Sequence, residues 1–144
     1  ICLHISTRVP DTWPEYHEIT GGGWITGKSF HPPYGQFTVN VSDSNHPGVR
    51  GVSDFMTIDE FYMGVEFKNG NEVFVTADAE DGTHPWGPEQ QPTHMPGGTF
   101  PLGWTRKYGD GKVFVLLLGH NGQSFGTPEF QKMVLNGVEW VTTR

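Results

Sequence analysis

The chain has 144 residues, which suits one domain with its own core. Its formal net charge of -7 leaves no basic patch to neutralise phosphates, so we expect neither nucleic acid nor an anionic membrane as a partner. Cys2 is the only cysteine, so an internal disulfide is excluded. A cytoplasmic protein fits this cysteine usage, and periplasmic or secreted placement stays open.

The first half of the chain reads as short strands separated by turns. The patterns predict a buried strand over 1–5, a helix over 11–19 capped by Asp11 or Thr12, a strand over 36–43 and a short extended piece over 58–63. In the third of these, Phe37, Val39 and Val41 alternate with polar residues. The helix is expected to end at the run Gly21, Gly22, Gly23.

The second half predicts a hairpin and a final helix. A strand over 72–80 precedes a long loop over 81–99, and two strands then meet at an Asp-Gly turn near Asp110. The last element is a helix with Thr127 as cap, Pro128 in the first turn and one apolar face: Phe130, Met133, Val134, Val138 and Val141. Strands followed by an amphipathic helix favour α/β layering.

Three strand ends carry polar side chains. His4, the pair Asp59 and Glu60, and His120 each follow an apolar or extended segment. Ligands of open α/β sheets bind beyond the carboxyl ends of the strands, so parallel strands would bring these residues to one rim. Each residue alone is more simply a turn or surface residue, and the coincidence of three favours a site.

The other histidines and the aromatic residues give weaker signals. His31, His46 and His94 stand next to prolines in loops, where surface positions are common, and His17 and His84 read as exposed bystanders. Imidazoles near an acid could still hold zinc or another divalent ion. Five aromatic residues in or near loops could face a sugar: Trp13, Trp24, Trp86, Trp104 and Tyr34. Ordinary core packing is the alternative, favoured for Trp140.

Several motifs occur together in the order of one family. The succession LHIS, WPEYHEITGGGW, SFHPPYGQFTV, SDSNHPGVRGVSDF, IDEFY and PLGWTRKYGDGKVFVLLLGHNGQSF resembles the trehalose utilisation (ThuA-like) domain. The resemblance extends over nearly the whole chain and is weakest over 80–98. It implies a single domain over 1–144 with the class I glutamine amidotransferase-like fold, an α/β three-layer αβα flavodoxin-like sheet.

The same resemblance implies that a βαβ portion of the family is missing at the N-terminus. We therefore expect either association with that missing half or a homo-oligomer, because an open sheet edge favours pairing. Where amidotransferases carry a nucleophilic cysteine at a strand-to-helix elbow, this chain has His4, so cysteine-dependent ammonia release is not expected. His120 matches the position of their triad histidine.

The family further implies a role in the use of trehalose or a related disaccharide or keto-sugar. We expect His4, Glu60 and His120 as catalytic residues, His4 and His120 as ligands of zinc or another divalent metal, and His31, Trp104 and Arg106 as sugar-binding residues. A sugar-processing enzyme is the favoured interpretation. A non-catalytic module that binds a carbohydrate or a partner is the main alternative, and a metal-dependent hydrolase is a third.

Overall fold

The structure, a computed structural model, describes residues 1–8 and 12–143. The strands are β1 (Cys2–Leu3), β2 (Gly22–Gly23), β3 (Gly35–Val41), β4 (Phe55–Asp59), β5 (Glu66–Phe67), β6 (Glu72–Ala79), β7 (Gly82–Trp86), β8 (Gln91–Met95), β9 (Gly98–Tyr108) and β10 (Gly111–Leu116). The helices are α1 (Glu15–Thr20), α2 (Gly122–Phe125) and α3 (Pro128–Thr142), with 3₁₀ turns at His4–Thr7 and Pro47–Val49.

Six strands form one mixed sheet in the order β1-β10-β9-β6-β3-β4. Within the described ranges β1 and β10 are the only parallel neighbours, and the other neighbours are antiparallel. Strand β10 runs parallel to β1. Two antiparallel pairings lead from β10 to β6 and two more lead from β6 to β4, so all four of these strands point the same way. The carboxyl ends of β1, β4 and β10 consequently lie on one rim of the sheet.

The sheet is curled, which brings its far strand back toward β10. The register of β6 and β9 shifts around Phe74, and such a bulge bends and twists a strand. Although three strands separate β4 from β10, Asp59 at the end of β4 accepts a hydrogen bond of 2.7 Å from the backbone N–H of Gly119. The ends of β4 and β10 therefore meet because the sheet is curled, and not because the two strands are neighbours.

Apolar side chains cover both faces of the central strands. On one face Trp104 is fully buried and donates its indole N–H to the carbonyl of Thr20 at the end of α1. On the other face Phe114 stacks on Phe74 beneath α3, where Gly137 allows close approach. Helices α1 and α3 thus pack on opposite faces of the β9-β10 pair.

Most predicted elements are present with shifted bounds. The hairpin around Asp110, the strand over 72–80 and the final helix starting after Thr127 are confirmed. The first strand is shorter than predicted, since a 3₁₀ turn begins at His4, and the extended piece placed at 58–63 lies earlier as β4. The first helix begins later, at Glu15, and the proposed Asp11 cap lies outside the described residues.

Two predictions about the second half were wrong. The stretch 81–99, expected to be a loop, contains the β7-β8 hairpin as a separate two-stranded sheet. On α3, Val138 is exposed, while Gly137 lies against the ring of Phe114 and the buried Asn136 donates to the carbonyls of Gly48 and Arg50. Among the described residues, none of the helices is long and apolar enough to cross a membrane.

The α/β class is confirmed in a general form. The structure shows a mixed, curled sheet with few helices, in which antiparallel pairs outnumber the parallel one. The second strand of the predicted hairpin is β10, which ends at Leu116, and the apolar residues Phe114 to Leu118 are buried.

Candidate active site

The rim of the sheet brings together His4, Glu60 and His120. The Glu60 Oε2 atom lies 3.3 Å from His4 Nε2 and 3.1 Å from His120 Nδ1. One ligand atom from each residue fits within 4.8 Å of the other two. The carboxylate therefore sits between two imidazoles, in an arrangement that can share a proton or a cation.

His4 owes its orientation to a left-handed backbone. It follows β1 directly and has a φ of 47°, a conformation that is rare for residues other than glycine. The side chain is 7% exposed, and Tyr62 Oη lies 3.2 Å from its Nδ1. Backbone strain of this kind persists where the surroundings enforce it, and it is frequent at functional sites.

The 3₁₀ turn that carries His4 is fixed by His17. Its Nε2 lies 3.0 Å from the Thr7 carbonyl and its Nδ1 lies 2.8 Å from Glu66, while the Thr7 hydroxyl donates to the His4 carbonyl. His17 is buried, so its interpretation as an exposed bystander was wrong. Both ring nitrogens face acceptors, and only a doubly protonated ring can donate to both.

His120 is placed by a glycine turn beyond β10. Gly119 has a φ of 110°, and an added Cβ would lie 3.1 Å from both Phe125 and Phe130. The His120 side chain is 40% exposed, and its ring centroid is 5.4 Å from that of Tyr34. This histidine is therefore the member of the cluster that meets solvent.

Asp59 ties the loops of Glu60 and His120 together. Its carboxylate accepts backbone N–H groups from Gly119 at 2.7 Å, Glu60 at 2.8 Å and His120 at 3.1 Å, and the residue is 1% exposed. The sequence did not single out this residue from its neighbour. The signal in the sequence is a buried strand that ends in two adjacent acids. Successive side chains of a strand point to opposite faces, so one of the two acids is expected to face inward.

His31 approaches the other oxygen of Glu60. Its Nε2 lies 3.6 Å from Glu60 Oε1, and its Nδ1 lies 2.8 Å from the Pro32 carbonyl. A carbonyl only accepts, so Nδ1 carries the proton and donates it. If Nε2 also carries a proton, it faces the Glu60 carboxylate as a donor. If it does not, its lone pair faces the carboxylate oxygen, and a proton or a metal ion between the two atoms would relieve their repulsion.

Burial sets the protonation of the inner residues. It lowers the pKa of His4, although the charges of Asp59 and Glu60 oppose that effect. Burial and the neighbouring Glu60 carboxylate raise the pKa of Tyr62, which keeps its hydroxyl protonated. A neutral His4 is the form that binds metal ions.

The residues of the cluster fit a divalent metal. His4 Nε2 is buried and has no hydrogen-bond partner among the described residues, although it points toward Glu60. Two imidazoles and one carboxylate are a donor set typical of zinc sites that keep an open position. Tyr62 lies against the second ring nitrogen of His4, as outer-shell partners of metal-bound histidines do.

A cavity of about 890 Å³ opens beside this cluster. Its walls include Glu60, His31, Tyr62, Trp24 and Trp86. The hairpin β7-β8 supplies Trp86, whose ring lies edge-on to His31 with centroids 4.6 Å apart. Two of the aromatic residues considered for sugar contact therefore border the site.

Two residues expected to bind substrate lie elsewhere. Trp104 is fully buried with its indole N–H bonded to Thr20, so it has no free face for a sugar ring. Arg106 lies on β9 opposite Val113, near the start of β10 and away from the rim, and it donates to Asn71, the residue before β6. The sequence alone does not give the order of the strands or the side of the sheet that each side chain faces, so it could not exclude these two residues.

Comparisons with known proteins identify the family. The model of the family ThuA, trehalose utilisation, matches residues 1–141. Two crystal structures of ThuA-like proteins share the fold: that from Parabacteroides merdae is 22% identical with a TM-score of 0.72, and that from Bacteroides uniformis is 18% identical with a TM-score of 0.70.

The two solved structures are longer than this chain. They cover 98% and 99% of it, while the chain covers 59% and 57% of theirs. A comparison with functionally curated proteins gave no match. The family match over almost the whole sequence shows that the chain belongs to the ThuA (trehalose utilisation) family.

Proposed function

We propose that this chain forms the active site of a sugar-processing enzyme that acts on a disaccharide or keto-sugar. The observation that carries the proposal is the convergence of His4 and His120 on Glu60, which also lines the neighbouring aromatic-walled cavity. Active sites commonly combine a concave pocket with a few titratable side chains that lie close together. Membership of the trehalose utilisation family supports the substrate class.

The cluster would hold zinc or another divalent metal through His4, His120 and Glu60. When bound, such an ion supplies a Lewis acid that polarises a hydroxyl or carbonyl oxygen of the sugar. Tyr62 orients His4, and Asp59 fixes the backbone of the two loops that carry Glu60 and His120. These contacts preorganise the site.

His31 is suited to move a proton. Its Nδ1 is committed to the Pro32 carbonyl, which leaves Nε2 to accept or return a proton at the cavity wall. Histidine is the side chain that enzymes use most often as a general acid or base. Abstraction of a proton from a carbon or oxygen next to a keto group is the reaction that this arrangement fits best.

We further propose that the sheet is the centre of a three-layer αβα arrangement. The packing of α1 and α3 on opposite faces of β9-β10 and the parallel pairing of β1 with β10 support a three-layer, flavodoxin-like sheet. A further parallel strand, from the same protein or a partner, would pair with β1. That strand would extend the rim on which His4 lies.

The first prediction tests the catalytic role of His120. Replacing His120 with Ala should lower kcat/KM on keto-disaccharides by about 100-fold or more, the usual contribution of an acid-base or ligand residue. Zinc content, measured by elemental analysis of purified protein, should fall from about one ion per chain. Circular dichroism should be unchanged, because the ring is partly exposed.

The matched control is His94→Ala, which removes an exposed histidine on β8 outside the cluster. If His120→Ala turns over substrate as fast as His94→Ala, His120 is not a catalytic residue. Saturable binding of disaccharides by calorimetry without any product would instead favour a carbohydrate-binding module. Purified protein without stoichiometric metal would remove the metal from the proposal.

A further inference from the structure

The cavity beside the cluster has an aromatic wall. The rings of Trp24 and Trp86 lie with centroids 6.1 Å apart at an angle of 42°, and Trp24 also meets Tyr62 at 4.8 Å. Flat rings of this kind pack against the C–H face of a sugar while their edges stay wet. The wall therefore gives the cavity a surface for a sugar ring.

Two cations, Arg8 and Lys28, line the same cavity. Among the described residues neither takes part in an ion pair, whereas Lys68 and Arg50 elsewhere are paired with glutamates. The lining carboxylate is Glu60, and it faces His4, His31 and His120. In a chain of formal net charge -7, these are two positive charges at one cavity with no carboxylate paired to them within the described ranges.

We infer that the substrate of this site is an acidic sugar, one that carries a carboxylate or a phosphate. Its ring lies against Trp24 and Trp86, and its anionic oxygens meet Arg8 and Lys28. This inference rests on the proposed function and narrows its substrate class. A neutral sugar would leave both cations facing water, and their presence in the wall would then add nothing to binding.

Physical chemistry supports the pairing. The guanidinium of Arg8 offers a planar fork that matches the two oxygens of a carboxylate or phosphate, and Lys28 adds a second point charge. Low dielectric walls of a cleft focus such a field. The cavity volume of about 890 Å³ lies within the range of ligand sites.

The experiment compares matched neutral and acidic disaccharides by isothermal titration calorimetry with the full chain. The pairs are cellobiose with cellobionate, which adds a carboxylate, and trehalose with trehalose 6-phosphate. At least one acidic partner should bind about tenfold more tightly than its neutral counterpart, since hydrogen bonds between charged groups exceed neutral ones. The advantage should shrink when NaCl is raised from about 20 to about 300 mM, because exposed charges are screened.

Variants locate the effect. Arg8→Gln and Lys28→Gln should each remove part of the preference for the acidic sugar while leaving the affinity for the neutral sugar unchanged. Lys107→Gln, an exposed cation on β9 outside the cavity, is the matched control and should retain the full preference. Trp86→Ala should weaken neutral and acidic sugars alike, which separates stacking from charge.

The outcomes distinguish this inference from the proposed function. Equal affinity for neutral and acidic sugars, or a preference that survives in Arg8→Gln and Lys28→Gln, would overturn the inference and leave a neutral-sugar enzyme standing. Absence of binding to all four sugars would overturn the inference, whereas the proposed function is tested separately by turnover of keto-disaccharides. Which acidic partner binds more tightly identifies carboxylate or phosphate as the recognised group.

Discussion

Asp59 holds the backbone of the candidate site through one buried carboxylate. It is 1% exposed and has no cation as an ion-pair partner among the described residues, yet three backbone N–H groups satisfy its oxygens. A buried charge is costly unless it is hydrogen-bonded in this way. Because two of its donors belong to Gly119 and His120, the carboxylate fixes the distance between β4 and the end of β10.

Replacing Asp59 with Asn tests this role. One oxygen becomes an NH₂ group that must face a backbone N–H, so we expect a loss of about 2–4 kcal/mol in the free energy of unfolding. The affinity for Zn²⁺ should fall about 10- to 100-fold, because outer-shell partners orient metal ligands. Chemical denaturation and competitive metal titration measure the two effects.

Asp54→Asn is the matched control for that substitution. Asp54 is exposed and accepts a single backbone N–H, from Val41, at 2.7 Å. It should cost less than about 1 kcal/mol and leave zinc affinity unchanged. If both variants behave alike, Asp59 does not position the site.

At the scale of elements, the sequence is informative where a strand or helix buries one face. The alternation of Phe37 and Val39 and the apolar run that ends at Leu118 predicted β3 and β10, because these side chains reach the core. The β7-β8 hairpin was missed for the opposite reason. It pairs Pro85 with Pro92 and stands as a separate ribbon, so no periodic apolar face marks it.

The candidate site was likewise predictable only where local sequence carries the information. His4, Glu60 and His120 could be placed at strand ends from local sequence, and the structure brings them together. Their spacing depends on the curl of the sheet, which arises from a register shift around Phe74 between strands distant in sequence. For that reason neither the role of Asp59 nor the burial of Trp104 could be predicted.

Helix α3 offers a test of packing against propensity. Gly137 lies in its interior, where Ala is favoured by about 1 kcal/mol on propensity alone. A Cβ there would stand 2.8 Å from the ring of Phe114, which is fully buried and stacked on Phe74. Overpacking costs about 1–3 kcal/mol, so Gly137→Ala should lower the free energy of unfolding on balance.

Gly122→Ala serves as the control for that comparison. Gly122 begins α2, and an added Cβ would meet nothing within 4 Å. This variant should be neutral or slightly stabilised in urea denaturation, as expected from propensity and a more restricted unfolded chain. A Gly137→Ala protein that gains as much stability as Gly122→Ala would show that Phe114 can move aside.

At the scale of the whole molecule, the second face of the sheet is organised around a buried histidine. His46 stacks on Phe74 with centroids 4.9 Å apart, and its Nε2 lies 2.8 Å from the Thr105 hydroxyl. The Gly48 N–H donates to its Nδ1, so the ring is neutral in the folded protein. It was interpreted as a surface residue from its place before Pro47, and it is instead 6% exposed.

This burial makes the stability of the domain sensitive to acid. Desolvation lowers the pKa of His46 below its ordinary value, against the opposing charges of Glu72 and Asp43. As pH falls through about 6.5, the unfolded chain binds a proton that the folded protein resists, so stability is lost on acidification and is unaffected above that range. His4, whose pKa burial also lowers, acts in the same direction.

We therefore expect the free energy of unfolding to fall between pH 7.5 and pH 5.5, at up to about 1.4 kcal/mol per pH unit for each such histidine. His46→Asn keeps an acceptor for the Gly48 N–H and cannot titrate, so it should be less stable at pH 7.5 but lose less on acidification. Urea denaturation at the two pH values gives both slopes. The exposed His94→Asn control should follow the parent protein, and an unchanged slope in His46→Asn would show that His46 is not the acid-sensitive group.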